Sequence, residues 1–147
     1  MFYGSVGTGK SFMAACIANE LLDRGYSCFM TTFARIFNEY QETWEKQSYI
    51  RRLMQYDLLI IDDLAMERDT STMNEIVFNV IDERNRCRKP LIVTTNLTGD
   101  ELKHPADVSK SRIYSRLFEM CIPFHVTGND RRKEKLAAML KQVDSDS

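Results

Sequence analysis

Apolar residues along the chain alternate between helical stripes and short unbroken runs. The segment SFMAACIANELLDRG, from Ser11 to Gly25, is rich in helix formers and places Phe12, Cys16, Asn19 and Leu22 at helical spacing. It stops at a glycine suited to a C-terminal cap, so a helix is expected there. Tyr26 to Met30 then reads as a short strand. Phe33, Ile36, Phe37, Tyr40 and Trp44 mark the apolar face of a second helix, and a short helix around Ser48 to Gln55 follows. Leu58-Leu59-Ile60-Ile61 is a continuous apolar run ending in Asp62-Asp63, the pattern of a parallel strand buried on both faces. Leu91 to Thr95 repeats that arrangement and ends at Asn96. Between the two runs, Met73, Ile76, Val77, Val80 and Ile81 lay one helical stripe. Beyond Asn96 a polar stretch leads to a helix near Ser109 to Glu119 and a strand near Ile122 to Val126. A basic helix from about Arg131 carries Leu136, Met139, Leu140 and Val143 on one face.

Strands alternating with helices predict an α/β domain with a mostly parallel central sheet flanked by helices. The chain has 147 residues, 44% of them hydrophobic, enough for one domain with a sizeable core. Residues 1–143 are read as that core, and residues 144–147 as a disordered tail. A net charge of −1 gives no global pull toward nucleic acid, so such binding would need a local basic surface. Cys16, Cys28, Cys87 and Cys121 form no C-x-x-C pair, and His104 and His125 complete no metal spacing, which argues against structural zinc. Cys16 and Cys28 fall in apolar segments where a free thiol acts as a small hydrophobe, which suits a reducing cytoplasm. No apolar run approaches the roughly 20 residues of a membrane span, and no membrane partner is expected.

The chemistry is concentrated at the start. Gly4-Ser5-Val6-Gly7-Thr8-Gly9-Lys10-Ser11 fits G-x-x-x-x-G-K-[ST], the phosphate-binding loop. In such a loop glycines let backbone N–H groups curl around a phosphate, the lysine reaches the β/γ oxygens, and the hydroxyl ligates Mg²⁺. Met1-Phe2-Tyr3 reads as the end of a strand and a helix follows at once, so the motif sits in its proper context. The expected ligands are ATP and Mg²⁺. A second element should supply a carboxylate at the end of a neighbouring strand, and Asp62-Asp63 does. Asp62 would hold Mg²⁺ and Asp63 would polarise the attacking water; the alternative is a helix cap or a solvated turn. Asn96 can hydrogen-bond that water or the γ-phosphate, or it can form an Asx turn before Thr98-Gly99. Arg112, Arg116, Arg131 and Arg132 are candidates to neutralise the γ-phosphate, or solvated surface charges.

In order along the chain, GSVGTGKS, LLIIDDLAME, IVTTN, RIYSRLFE and GNDRR resemble the AAA+ ATPase domain of the DnaC/DnaI family of replicative helicase loaders. The resemblance covers nearly the whole chain; its loader-specific parts, shared with IstB-like transposition relatives, are the DDLAME turn and the S-R-I-Y-S-R-L-F helix. It implies a P-loop domain of the AAA+ type, here N-terminally truncated. By the resemblance Asn96 is the sensor I residue, Arg116 the arginine finger acting on a neighbouring subunit's ATP, with Arg112 its rival, and Arg132 the sensor II arginine. It further implies a DnaB-type helicase and single-stranded DNA as partners, and self-association into an AAA+ oligomer when nucleotide is bound. Trp44 and the Thr70-Ser71 pair lie where loaders contact DNA, although Trp44 is equally well placed to be core. The upstream residues that grip adenine and the helicase-docking domain precede the point where this chain starts, and Asp63 stands where many AAA+ enzymes have glutamate. Slow hydrolysis is therefore expected. The competing expectations are an IstB-like transposition helper and a truncated ATP-binding scaffold without activity.

Overall fold

A computed structural model describes residues 1–64 and 70–145, with backbone alone at 134 and 142–145. The chain runs β1 (Phe2–Tyr3), α1 (Lys10–Asp23), β2 (Cys28–Thr32), α2 (Phe33–Glu42), α3 (Lys46–Gln55), β3 (Leu58–Asp62), α4 (Ser71–Arg86), β4 (Leu91–Thr95), α5 (Gly99–Lys103), α6 (Val108–Met120), β5 (Phe124–His125) and α7 (Arg131–Ser145). The strands form one all-parallel sheet in the order β2-β3-β4-β1-β5. Parallel neighbours need long crossovers, and the helices supply them.

The unbroken apolar run of β3 is explained by burial on both faces. Leu58 and Ile60 join Phe2, Ala14 and Ala18 beneath α1, while Leu59 and Ile61 join Phe33, Ile36, Val77, Ile81 and Leu117 on the opposite side. The register sets Ile61 beside Val93, Phe2 beside Thr94 and Tyr3 beside Thr95. The carboxyl ends of β1, β3 and β4 are thereby level, which is where ligands bind in open parallel sheets.

Several expectations shift. The face of α1 is not the one that Phe12, Cys16 and Leu22 suggest, since all three are exposed. Ala14 and Ala18 are buried instead, small residues four apart that let the helix backbone lie close to the sheet. As expected, Gly25 closes α1: at φ 87° its N–H donates to Leu22 and that of Tyr26 to Leu21, a Schellman motif. The next strand starts at Cys28, after the Ser27 amide and hydroxyl have bonded the Asp57 carboxylate. Helix α2 ends before Trp44 because Lys46 caps its final carbonyls at Tyr40 and Gln41. Trp44 is left 99% exposed, which removes the core alternative for it. The polar stretch after Asn96 contains α5, opened by a capping box between Thr98 and Glu101. Helix α7 runs through Ser145, into the segment expected as tail.

Candidate functional site

Strand β1 turns directly into the glycine loop. Gly4 has φ 133°, and a Cβ there would lie 2.5 Å from the Val126 carbonyl oxygen; Gly7 has φ 80°, and a Cβ there would lie 1.9 Å from Asp130 Oδ1. Only glycine fits either place. The segment after β5 thus braces the loop from outside, and the Arg131 N–H donates to the Gly7 carbonyl at 3.1 Å. Inside the loop the Thr8 hydroxyl donates to the Ser5 carbonyl at 3.0 Å. Lys10 is buried, and its Nζ donates to the Gly4 and Ser5 carbonyls at 2.8 and 2.6 Å, which lays the ammonium across the loop. Burial lowers the Lys10 pKa from its ordinary value, Asp63 and then Asp62 oppose this, and Arg132 adds to it. Helix α1 starts at Lys10 without a side-chain cap, so its first N–H groups are available to an anion.

The two acids arrive from β3. Asp62 ends the strand, and its Oδ1 accepts a 2.6 Å bond from the Thr94 hydroxyl. Asp63 takes a left-handed backbone at φ 58°, which costs about 1 kcal/mol for a residue with a side chain. Its N–H donates to Thr94 Oγ1 at 2.9 Å, and the next N–H, of Leu64, donates to the Thr94 carbonyl at 2.8 Å. Asn96, just past β4, donates from Nδ2 to Asp63 Oδ1 at 3.4 Å.

These groups face one cavity of about 460 Å³, a size suited to a small ligand. Val6, Gly7, Gly9, Lys10 and Ser11 line one side; Asp62, Asp63, Thr94 and Asn96 line another, and Arg131 and Arg132 close over them from α7. Gly4, Ser5 and Thr8 complete the loop that holds Lys10. Arg116 lies apart: its guanidinium pairs with Asp82 of α4 at 2.9 Å and with Glu119 at 2.6 Å. Arg112 stacks over Phe78, 4.4 Å from the ring centroid. The Thr70 hydroxyl caps α4 by accepting from Met73 N, and Ser71 begins that helix. Of the DDLAME turn, residues 65–67 lie outside the described residues. Thr94, one of two buried threonines that end β4, is a site residue the sequence does not single out, and Arg131, one of four arginine candidates there, lines the cavity with Arg132.

With this geometry in place, comparison with known proteins is decisive at the family level. The model of the IstB-like ATP binding protein family matches residues 1–138. The chain belongs to that family. The replicative helicase loader DnaI of Bacillus subtilis (strain 168) is 29% identical over 143 residues, covering 88% of this chain and 46% of its own length. The replicative helicase loader DnaC of Escherichia coli (strain K12) is 31% identical over 107 residues, covering 69% and 44%. The chain therefore spans less than half the length of these curated relatives. A crystal structure of DnaI superposes with a TM-score of 0.73 at 25% identity, covering 88% of this chain and 71% of that one. The fold is thus that of the AAA+ P-loop domains, and the family is an ATP-binding one. No helix among the described residues is long and apolar enough to cross a membrane.

Proposed function

We propose that the chain is the ATP-hydrolysing core of a replicative helicase loader, acting in the cytoplasm on a DnaB-type helicase and single-stranded DNA. The observation that carries the chemistry is the meeting of Lys10, Asp63 and Asn96 in one cavity at the carboxyl edge of the sheet. The loop amides and Lys10 bind the phosphates of ATP. Ser11 and Asp62, both on the cavity wall, are the residues that would hold Mg²⁺. Bound there, it would supply positive charge to neutralise the phosphate oxygens. Asp63 accepts the proton of the attacking water, and Asn96, bonded to Asp63, orients that water. Arg132 reaches the γ-phosphate from α7, and Arg116 serves the site of a neighbouring copy in a nucleotide-dependent oligomer. The exposed Trp44 offers a stacking surface for a base of single-stranded DNA.

Lys10→Ala is expected to abolish nucleotide binding, and Asp63→Asn to keep binding while stopping turnover; both are read by fluorescent-nucleotide titration and phosphate release. Equal rates for wild type and Asp63→Asn would sink the assignment of Asp63. The family match also favours a second reading, a helper ATPase of a transposase. Capture of a DnaB-type helicase against capture of a transposase, with the same tagged chain, separates the two.

A further inference from the structure

We propose that Thr94 is a positioning residue that sets both acids of the site, and that its hydroxyl determines how tightly a nucleotide-bound divalent cation is held. This deepens the reading of the cavity as a nucleotide site and rests on it.

Thr94 is 1% exposed and sits in β4 between two paired neighbours, β3 and β1. A β-branched side chain so enclosed has little χ1 freedom. Its hydroxyl has one proton and makes two bonds. The Asp63 N–H can only donate, so Oγ1 accepts from it, and the hydroxyl proton goes to Asp62 Oδ1. The 2.6 Å length is that of a charge-assisted O–H···O⁻ bond. One side chain therefore fixes the Asp62 carboxylate, leaving its Oδ2 as the oxygen not committed to Thr94, and it holds the amide of the residue with φ 58°. The Thr94 carbonyl secures the Leu64 amide as well, so three consecutive residues after Ile61 take their places from this position. Removing a group that orients a cation's ligand in this way typically lowers the cation's affinity by about 10- to 100-fold.

The test uses Mn²⁺ as the probe, titrated by electron paramagnetic resonance into the full chain saturated with the non-hydrolysable analogue AMPPCP. Thr94→Val keeps the shape and removes both bonds; it is expected to weaken Mn²⁺ binding about 10- to 100-fold. AMPPCP binding measured in EDTA serves as the reference, and the weakening expected with Mn²⁺ exceeds any change in that reference. Thr94→Ser keeps the hydroxyl and is expected to stay within about threefold of wild type. Should the valine variant lack the wild-type circular dichroism spectrum, Thr94→Ala makes the same comparison without the branched methyls. Unchanged Mn²⁺ affinity in the hydroxyl-free variant, or a serine variant as weak as it, overturns the role of Thr94 alone. A wild-type chain that binds AMPPCP neither with nor without Mn²⁺ overturns the nucleotide reading itself.

Discussion

Arg84 offers the sharpest stability prediction. Its side chain is fully buried, in a helix face that otherwise reads as apolar. The guanidinium donates to the carbonyls of Tyr56 at 2.8 Å, Asp57 at 2.9 Å and Pro90 at 2.7 and 3.0 Å, with a longer contact to Leu53. These acceptors end α3 and immediately precede β3 and β4, so one cation ties the amino ends of two central strands to the helix before them. Burial lowers its pKa from the ordinary value. Arg84→Met keeps the stem and strips every donor. Three carbonyls then lose a close partner at about 1–3 kcal/mol each, while the desolvation cost of the cation disappears. The net expectation is a loss of about 3 kcal/mol, or roughly 6–12 °C in Tm for a domain of this size. Urea unfolding followed by far-ultraviolet circular dichroism is the suitable assay, because the single tryptophan, Trp44, is exposed and reports poorly on the core. Nucleotide affinity measured well below the transition should be unchanged, since Arg84 touches nothing in the cavity. A methionine variant within about 1 kcal/mol of wild type would refute the idea that these bonds hold the sheet together.

Two further predictions concern the site and its neighbours. Gly7→Ala places a methyl against Asp130 at a left-handed φ, and nucleotide affinity is expected to fall at least about tenfold; Asp130→Ala in the same chain should restore part of the loss, and no recovery would assign the whole effect to the backbone. For Arg116, release from Asp82 and Glu119 breaks two solvent-screened ion pairs that hold it only weakly. Asp82→Asn should therefore alter assembly-dependent hydrolysis only a few-fold, while Arg116→Ala abolishes it and is complemented by mixing with Asp63→Asn. Complementation by Arg112→Ala in place of Arg116→Ala would transfer the finger role to Arg112.

What could be read from the chain follows from how local each signal is. Asp62, Asp63 and Asn96 sit at or just past strand ends that the apolar runs mark, Lys10 and Ser11 open the helix after the loop that follows β1, and parallel register brings the two groups to one cavity. The face of α1 was misread because periodicity weights large residues, whereas the packing selected Ala14 and Ala18. Helix α5 was passed over although Thr98 and Glu101 carry the spacing of a capping box; five residues are too few for a stripe. Arg84 and Thr94 stayed silent for a different reason. An arginine in a helix and a threonine in a strand are ordinary by propensity, and only the three-dimensional neighbours reveal a cation with four carbonyls or a hydroxyl shared by two acids.

The two polar anchors divide the sheet between them. Arg84 works where β3 and β4 begin, and Thr94 where they end, about 17 Å away for strands of five residues. The amino edge is closed by a side chain that does not line the site's cavity, so its bonds are assigned to stability. At the carboxyl edge the ladder is broken on purpose: Asp63 leaves the strand in a strained conformation, and its amide and carboxylate are satisfied by Thr94 and Asn96. Strain of that kind persists only where surrounding structure fixes it. A stable amino edge is what allows the carboxyl edge to hold acids in a poor backbone conformation. The prediction that joins them is that Arg84→Met lowers stability without changing Mn²⁺ affinity, while Thr94→Val lowers Mn²⁺ affinity about 10- to 100-fold along with some loss of stability from the unpaired Asp63 amide. If Arg84→Met changed Mn²⁺ affinity as much as Thr94→Val does, or if Thr94→Val left it unchanged, the division of labour along β3 and β4 would be wrong.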